Sequence, residues 1–266
     1  KIIAESSAVD NVEIIATARG KNRLPLGDYT YASLDITDQS QVAETLEKYK
    51  PDVVINTAAM TNVDQSENEK DACWELNVTA VEHLVTACNE INAHLIHLST
   101  DFIFDGSHGP LDETEQPNPV NYYGESKLAS EKVVLNKAKS WAIIRTVLVY
   151  GIANGMSRSN IILWVKESLE SDKTIHVVND QWRTPTLAED LGIGCLLAAT
   201  KKAKGIYHIS GKDMLTPYEM AIMTADFFKL DKSLINETDG SKFQQTAKRP
   251  PKTGFIIAKA QEELGF

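Results

Sequence analysis

Three short apolar runs, separated by long helical segments, constrain the fold of this chain more than any other feature. They are DVVIN at residues 52–56, HLIHLS at 94–99 and WAIIR at 141–145. Each run is too short for a helix and is typical of a buried strand in a parallel sheet. Helices are predicted between them at 71–92 and 123–138. Because two parallel strands need a right-handed crossover, the pattern predicts a doubly wound α/β sheet.

The remaining segments extend this sheet and add a second lobe. Strands are predicted at 12–16 and 29–36, and Asp38 with Gln41 forms a capping box for a helix to residue 48. In the second half we expect helices at 159–169 and 185–200, strands at 174–178 and 205–209, and a helix that starts at Thr216-Pro217. We therefore expect a dinucleotide-binding domain at 1–150, to which 174–200 returns. A smaller substrate-binding lobe would comprise 151–173 and 201–266.

Composition excludes several classes of protein. The formal net charge of -10 argues against a nucleic-acid partner, because phosphate binding needs clustered Lys and Arg. No apolar run reaches the roughly 20 residues of a membrane span, and no signal peptide opens the chain. Cys73, Cys88 and Cys195 have no Cys-x-x-Cys spacing, so we expect buried, reduced thiols in a cytoplasmic protein. The scattered histidines predict no metal site.

One expected feature of a nucleotide-binding sheet is absent from the sequence. Such a fold begins with a strand and a Gly-rich turn whose backbone N–H groups approach a pyrophosphate. Here residues 1–5 (KIIAE) resemble the tail of the first helix, and no GxGxxG or GxxGxxG occurs. Either the first strand and its turn precede the given sequence, or the protein binds no dinucleotide in the usual way. We favour the first interpretation, a Rossmann-like fold whose first strand and Gly-rich loop are missing.

A basic loop follows the strand at 12–16, where the adenosine ribose of a dinucleotide would lie. It contains Arg19, Lys21 and Arg23. An acidic residue at this point accepts the 2′-hydroxyl of NAD, whereas arginine accommodates the 2′-phosphate of NADP. The loop therefore favours NADPH, with NADH as the alternative. A solvated basic loop without a ligand is the competing interpretation.

Small and polar residues close the central strands. Ala58 and Ala59 follow the strand at 52–56, and Ser99-Thr100-Asp101 closes the next strand. Both lie at the carboxyl edge of the predicted sheet, where open α/β sheets bind ligands. The alanines would allow a ribose to approach the backbone, and Thr100 could hydrogen-bond a substrate oxygen. Close packing and a simple Asx or Ser/Thr turn are the structural alternatives.

Tyr123 and Lys127 stand four residues apart, so their side chains share one face of the predicted helix. A phenol titrates near pH ~10, and a nearby ammonium is expected to lower that pKa. The pair would then donate and accept protons in carbonyl–alcohol chemistry. Since the spacing also arises by chance, its position after the Ser99-Thr100-Asp101 strand end gives it weight.

Six motifs together resemble the extended short-chain dehydrogenase/reductase superfamily, and within it the dTDP-4-dehydrorhamnose reductase family. They are AAMTNVD (58–64), STDFIFDG (99–106), YYGESK (122–127), RTVLVYG (145–151), NDQWRTPT (179–186) and AKRPPKTG (247–254). The resemblance implies NADPH-dependent reduction of a 4-keto-6-deoxy sugar nucleotide by a monomer or homodimer. It assigns Thr100, Tyr123 and Lys127 to catalysis, with Asp101 orienting the site. The cofactor would contact Arg19, Asp35, Ile36, Ala58, Ala59, Met60, Ser99, Tyr123 and Lys127. The substrate would contact Thr61, Val63, Phe102, Leu148, Asn160, Arg183 and Arg249.

Two departures from the family pattern matter. Phe102 stands where sugar-nucleotide dehydratases carry an acidic residue, so reduction is favoured over dehydration. Val147-Leu148 stands where the reductases often have Ser-Trp, which leaves the sugar and nucleotide open. The chain also resembles the regulatory beta subunit of methionine adenosyltransferase around QWRTPT. A non-catalytic NADP-binding subunit, or a reductase of another 4-keto nucleotide sugar, is therefore the alternative.

Overall fold

The computed structural model describes residues 2, 12–25, 27–152, 159–242 and 246–266. The helix tail expected at residues 1–5 lies outside this part of the chain, except for Ile2, which is helical. The strands are β1 (Ile15–Ala18), β2 (Thr30–Ser33), β3 (Val53–Asn56), β4 (His94–Thr100), β5 (Trp141–Thr146), β6 (Val149–Tyr150), β7 (Ile175–Val178), β8 (Thr186–Leu187), β9 (Gly205–His208) and β10 (Ile235–Thr238). The α-helices are α1 (Gln39–Tyr49), α2 (Val63–Asn68), α3 (Lys70–Trp74), α4 (Ala80–Ile91), α5 (Tyr122–Lys137), α6 (Ile161–Glu170), α7 (Ala188–Thr200) and α8 (Pro217–Phe228).

The central sheet is parallel, in the order β3-β4-β5-β9. Strands β1 and β2 form a parallel pair of their own. No ladder joins β1 to β3 in the described part of the chain, and a cavity of about 570 Å³ lies between the two sheets. The apolar runs of the sequence thus become neighbouring parallel strands, as predicted.

Helices cover both faces of the central sheet. On one face, α1, α4 and α5 pack over Leu95 and Ile143. On the other face, α7 and the turn at Ala260–Leu264 pack over Ile96 and Ile144. Alternate residues of β4 and β5 therefore pack into two separate cores. Because both faces of these strands are buried, their sequences are continuously apolar. This confirms the doubly wound α/β fold.

A second, smaller core lies in the C-terminal half. Helices α6 and α8 pack on β7 and β10, which pair in parallel, and bury Val165, Ile175 and Ala221. Of the residues predicted to return to the main sheet, 174–200, the helix at 188–200 packs on that sheet, whereas the strand does not pair with it. The strand predicted at 174–178 belongs to this lobe, because its inward residues meet α6 and α8. The returning elements are α7 and β9, which pairs with β5.

The helix predicted at 71–92 is interrupted rather than continuous. A π-helical turn, Glu75–Thr79, lies between α3 and α4. The predicted helix starts are confirmed at Asp38, which caps α1, and at Thr216, which forms a capping box with Glu219. None of the helices in the described ranges is long and apolar enough to cross a membrane.

Candidate active site

The end of β4 and the start of α5 bring the predicted catalytic residues together. Thr100 is the last residue of β4, and Tyr123 is the second residue of α5. Asn121 caps α5 by accepting a hydrogen bond from Gly124 N at 2.8 Å. A β-carbon at Gly124 would overlap the carbonyl oxygen of Phe102, so a glycine is needed for this approach. The helix start is thereby pressed against the strand end.

Tyr123 and Thr100 are both buried at this junction. Burial raises the pKa of the Tyr123 phenol, and the hydrogen bond with Thr100 opposes that rise. The Thr100 hydroxyl donates to Asp101 Oδ1 at 3.1 Å. The phenol therefore stays protonated at neutral pH and is available as a proton donor.

Asp101 is buried behind Thr100. Its carboxylate lies 3.5 Å from Arg183 Nε and accepts a hydrogen bond from the Thr253 hydroxyl. Burial raises the pKa of Asp101, whereas Arg183 and the hydrogen bonds oppose this. This arrangement suits the orienting role that the sequence predicts for Asp101, since its partners fix the carboxylate that holds Thr100.

Lys127 lies one helical turn beyond Tyr123 and is buried. Its ammonium donates to Leu98 O at 2.7 Å and lies 3.3 Å from His97 Nε2. Burial lowers the pKa of Lys127 to about 8. The expectation that Lys127 lowers the pKa of Tyr123 is wrong for this structure: burial raises that pKa, and Thr100 supplies the opposing hydrogen bond.

Most of the predicted cofactor residues line the cavity between β1 and β3. They are Arg19, Asp35, Ile36, Ala58 and Ala59. Arg19 is largely exposed, and its guanidinium lies 3.8 Å from Asp35. The backbone of Met60 is fixed by a hydrogen bond, in which its N–H donates to Asn77 Oδ1 at 2.8 Å. Ser99 is buried, and its hydroxyl has no hydrogen-bond partner in the described part of the chain.

The predicted substrate residues divide into two groups. Phe102 packs its ring edge against Tyr123, with the ring centroids 5.7 Å apart. Thr61 is exposed and Val63 is half-buried at the start of α2. Leu148 is 38% exposed and adopts a positive φ of 35°, a backbone conformation that is unusual for leucine. These side chains remain available to a ligand.

Arg183, Arg249 and Asn160 do not present the free polar groups that we expected. Arg183 donates to the backbone carbonyls of residues 182, 250 and 251 and pairs with Asp101. Arg249 donates to both carboxylate oxygens of Asp64, at 2.7 and 2.6 Å. Asn160 caps α6 and donates to Gly151 O. Their hydrogen-bonding groups are committed within the protein, so they hold the fold around the site.

Sequence reasoning missed two buried residues behind the site. The side chain of Asn77, in the π-helical turn, accepts a hydrogen bond from Met60 N and donates one to Met60 O. It also donates to Ser126 Oγ on α5 at 2.9 Å. His97 is buried on β4 beside Lys127. A polar residue on an apolar helix face was the available signal for Asn77, and the second histidine within a buried strand was the signal for His97.

The doubly wound sheet with Thr100, Tyr123 and Lys127 at its carboxyl edge defines a member of the extended short-chain dehydrogenase/reductase superfamily. The family model for the RmlD substrate binding domain matches residues 2–266. The chain therefore belongs to that family.

Relatives of two kinds are similar to the chain. A dTDP-4-dehydrorhamnose reductase from Salmonella typhimurium is 34% identical over 242 residues, which are 86% of this chain and 79% of that protein. The methionine adenosyltransferase 2 subunit beta from Xenopus laevis is 33% identical over 208 residues, or 76% of this chain, and the match spans only 62% of that relative's length. A dTDP-4-dehydrorhamnose reductase from Bacillus anthracis, solved in complex with NADP, superposes with a TM-score of 0.85 at 26% identity and covers 94% of this chain and 93% of that one.

Proposed function

We propose that the chain catalyses NADPH-dependent reduction of a 4-keto-6-deoxy sugar nucleotide, dTDP-4-dehydrorhamnose to dTDP-rhamnose. The observation that carries the proposal is the set of three buried residues at one junction: Thr100 at the end of β4, with Tyr123 and Lys127 one turn apart at the start of α5. The similarity to reductases from Salmonella typhimurium and Bacillus anthracis supports the substrate and the cofactor. NADH is the alternative cofactor, and a 4-keto sugar on another nucleotide is the alternative substrate.

The residues present fit a nicotinamide dinucleotide. The unpartnered Ser99 hydroxyl offers a hydrogen bond at the sheet edge, and Ala58 and Ala59 leave the cavity wall without bulky side chains. Arg19, at the end of β1, would face a 2′-phosphate. The bound cofactor would supply a hydride to the carbonyl carbon of the sugar.

Tyr123 would donate its proton to the carbonyl oxygen as negative charge develops there. Its raised pKa keeps that proton in place until the substrate arrives. The Thr100 hydroxyl, which donates to Asp101, can turn by rotation about its C–O bond and stabilise the same oxygen.

Lys127 donates one of its N–H groups to Leu98 O, so two remain for a ribose hydroxyl of the cofactor. Phe102, in contact with Tyr123, would exclude water and border the sugar with Thr61, Val63 and Leu148.

A non-catalytic NADP-binding subunit is the second candidate, because the methionine adenosyltransferase beta subunits are similar to the chain. The complete set of Thr100, Tyr123 and Lys127 favours the reductase. For the reductase we further propose a monomer or homodimer that binds a sugar nucleotide. The three cysteines are free and buried, which supports a reducing, cytoplasmic location.

The deciding experiment measures oxidation of NADPH with dTDP-4-dehydrorhamnose by the wild-type protein and by Tyr123→Phe. We expect the variant to lose 10²–10⁴-fold in kcat, the range typical for a positioned general acid. Tyr122→Phe is the matched control, because the Tyr122 ring lies against Trp74 and Lys70. It should retain nearly full activity. No turnover by the wild-type protein on this or related 4-keto nucleotide sugars would refute the proposal and favour the non-catalytic subunit.

A further inference from the structure

His97 is a buried titratable residue that the proposed reaction does not use directly. It lies near the middle of β4 with no exposed surface. Its two ring nitrogens face three side chains, which belong to a strand and a helix that form the site. These are Asn56 at the end of β3, and Ser130 and Lys127 on α5. The imidazole therefore links the strand that leads into Ala58 and Ala59 with the helix of Tyr123 and Lys127.

The hydrogen-bond network determines which nitrogen of His97 carries the proton. Asn56 Oδ1 accepts from Ala58 N at 3.1 Å, so its amide group must donate to His97 Nδ1, at 3.2 Å. Burial and the Lys127 ammonium hold the pKa of His97 well below its usual range, so the ring is neutral. Its proton is therefore on Nε2 and is donated to Ser130 Oγ at 3.0 Å. The Ser130 hydroxyl in turn donates to Lys127 O at 2.7 Å.

This protonation state has a consequence for Lys127. The ammonium nitrogen lies 3.3 Å from Nε2, but it meets an N–H group there and not a lone pair. It cannot bind the ring and cannot move deeper into the core, so it remains at the carbonyl oxygen of Leu98. The positive end of the N–H dipole also disfavours the charged amine. The other titratable groups around Lys127 are Glu131, which pairs with Arg145, and Cys73 on α3, with Tyr123 one turn earlier on α5.

We propose that His97 is a positioning residue of the site: as a neutral imidazole protonated on Nε2, it holds the Lys127 ammonium at the Leu98 carbonyl. Through Asn56 it also ties this ammonium to the loop of Ala58 and Ala59. The effect on turnover rests on the proposed reductase function, whereas the effect on Lys127 does not.

The first test uses the wild-type protein without cofactor. Long-range ¹H–¹⁵N NMR of the imidazole ring should show His97 neutral and protonated on Nε2 at pH 7. Titration of ¹³C-labelled lysines should show Lys127 losing its proton at about pH 8, because burial lowers its pKa. A His97 that is charged, or protonated on Nδ1, would overturn the inference without any variant.

The second test compares His97→Leu with His97→Gln. Leucine removes the N–H that faces Lys127, so we expect the Lys127 titration to move up by roughly one pH unit. Glutamine can place an N–H at a similar point and should leave the titration close to that of the wild-type protein. If His97→Leu does not fold, the glutamine variant decides, and a shift of one unit in that variant contradicts the inference.

His94→Leu is the matched control, because His94 is also buried on β4 but lies at the start of the strand, where it contacts Ser140. It should leave the Lys127 titration unchanged. For turnover we expect His97→Leu to lower kcat about ten-fold or more, since small displacements of a catalytic group are costly. An inactive wild-type protein would refute the reductase and not the role of His97. An active protein in which His97→Leu moves neither kcat nor the titration would refute the role of His97 alone.

Discussion

Arg249 donates hydrogen bonds to both carboxylate oxygens of Asp64, and this pair fixes a segment that we name the strap, residues 247–255. The Asp64 carboxylate also accepts from Ala247 N at 3.0 Å. These hydrogen bonds lower the pKa of Asp64 to about 2. Bidentate Arg–carboxylate pairs are stronger than single contacts because both N–H groups are aligned. At the scale of single residues, the pair of Arg249 and Asp64 therefore anchors the strap to the start of α2.

We expect Asp64→Asn to destabilise the protein by about 1 kcal/mol at pH 7, a modest value because the carboxylate is partly exposed. The folded-state pKa lies below the usual value, so the stabilisation is fully present above about pH 4. It is lost as the pH falls toward about 2. Urea unfolding at pH 7 and at pH 3 should therefore show a smaller difference between variant and wild type at the lower pH.

Glu47→Gln is the control for this prediction, because the Glu47–Lys50 pair is exposed on both sides. It should change the free energy of unfolding by less than about 0.5 kcal/mol. An Asp64→Asn protein as stable as the wild type at pH 7 would show that the Asp64–Arg249 pair contributes nothing to the free energy of unfolding.

Single residues were predictable where their contacts are local. Thr100, Tyr123 and Lys127 could be found because strand ends and helical spacing place them. The partners of Arg249 and Arg183 could not, since Asp64 is 185 residues and Pro250 is 67 residues away in the chain. The pKa direction of Tyr123 was also wrong, because burial depends on packing that the sequence does not display.

The approach of helix α5 to the end of β4 is the feature of single elements on which the site depends. Gly124 lies against the Phe102 carbonyl, and Asn121 caps the helix while donating to Lys248 O on the strap at 2.8 Å. Asn77 holds the same helix through Ser126. The segment that follows β4, the strap and the π-helical turn thus fix the position of Tyr123 relative to the sheet.

Gly124→Ala should therefore impair catalysis more than folding. A β-carbon there overlaps backbone and cannot be accommodated by a rotamer change, so the start of α5 must move away from β4. We expect a loss of about 10²-fold in kcat, because displacements near 1 Å are that costly. NADPH oxidation and circular dichroism would measure both effects.

Gly194→Ala is the matched control in helix α7. There the three atoms nearest to an added β-carbon belong to the Ile209 side chain, at 2.9–3.3 Å, and none of the three is a backbone atom. It should retain activity with a small change in stability. Full activity of Gly124→Ala would contradict the close approach that we describe.

Elements could be located from the sequence more readily than they could be paired. The apolar runs gave β3, β4 and β5 because their side chains are buried on both faces. Strand β7 was assigned to the wrong sheet, since its alternating burial fits either a sheet edge or a separate lobe. The π-helical turn at Glu75–Thr79 has the same apolar spacing as a regular helix and could not be foreseen.

At the scale of the whole molecule, the strap joins the C-terminal part of the chain to the catalytic strand. Arg183 donates to the Pro250 and Pro251 carbonyls, and Thr253 donates to Asp101. Trp182 N also donates to Pro251 O, at 2.7 Å. The buried Arg183–Asp101 pair is therefore the point where the strap, the segment before β8 and the end of β4 meet.

Arg183→Met should break this junction. It leaves the Asp101 carboxylate buried without its cation and the Pro250 carbonyl without the Arg183 donor, and the loss of one partner of a buried ion pair costs about 3–5 kcal/mol. Urea unfolding should show that decrease. Hydrogen exchange should show the strap amides losing protection before those of β4 and β5, because the central sheet keeps both of its cores. Lys166→Met is the control, since the Lys166–Glu170 pair lies on the surface and should contribute less than about 1 kcal/mol. If Arg183→Met matched the wild type in both measurements, the other contacts of the strap, with Asp64, Asn121, Trp182 and Asp101, would be sufficient to hold it. The Arg183–Asp101 ion pair would then not be what couples the two halves of the molecule.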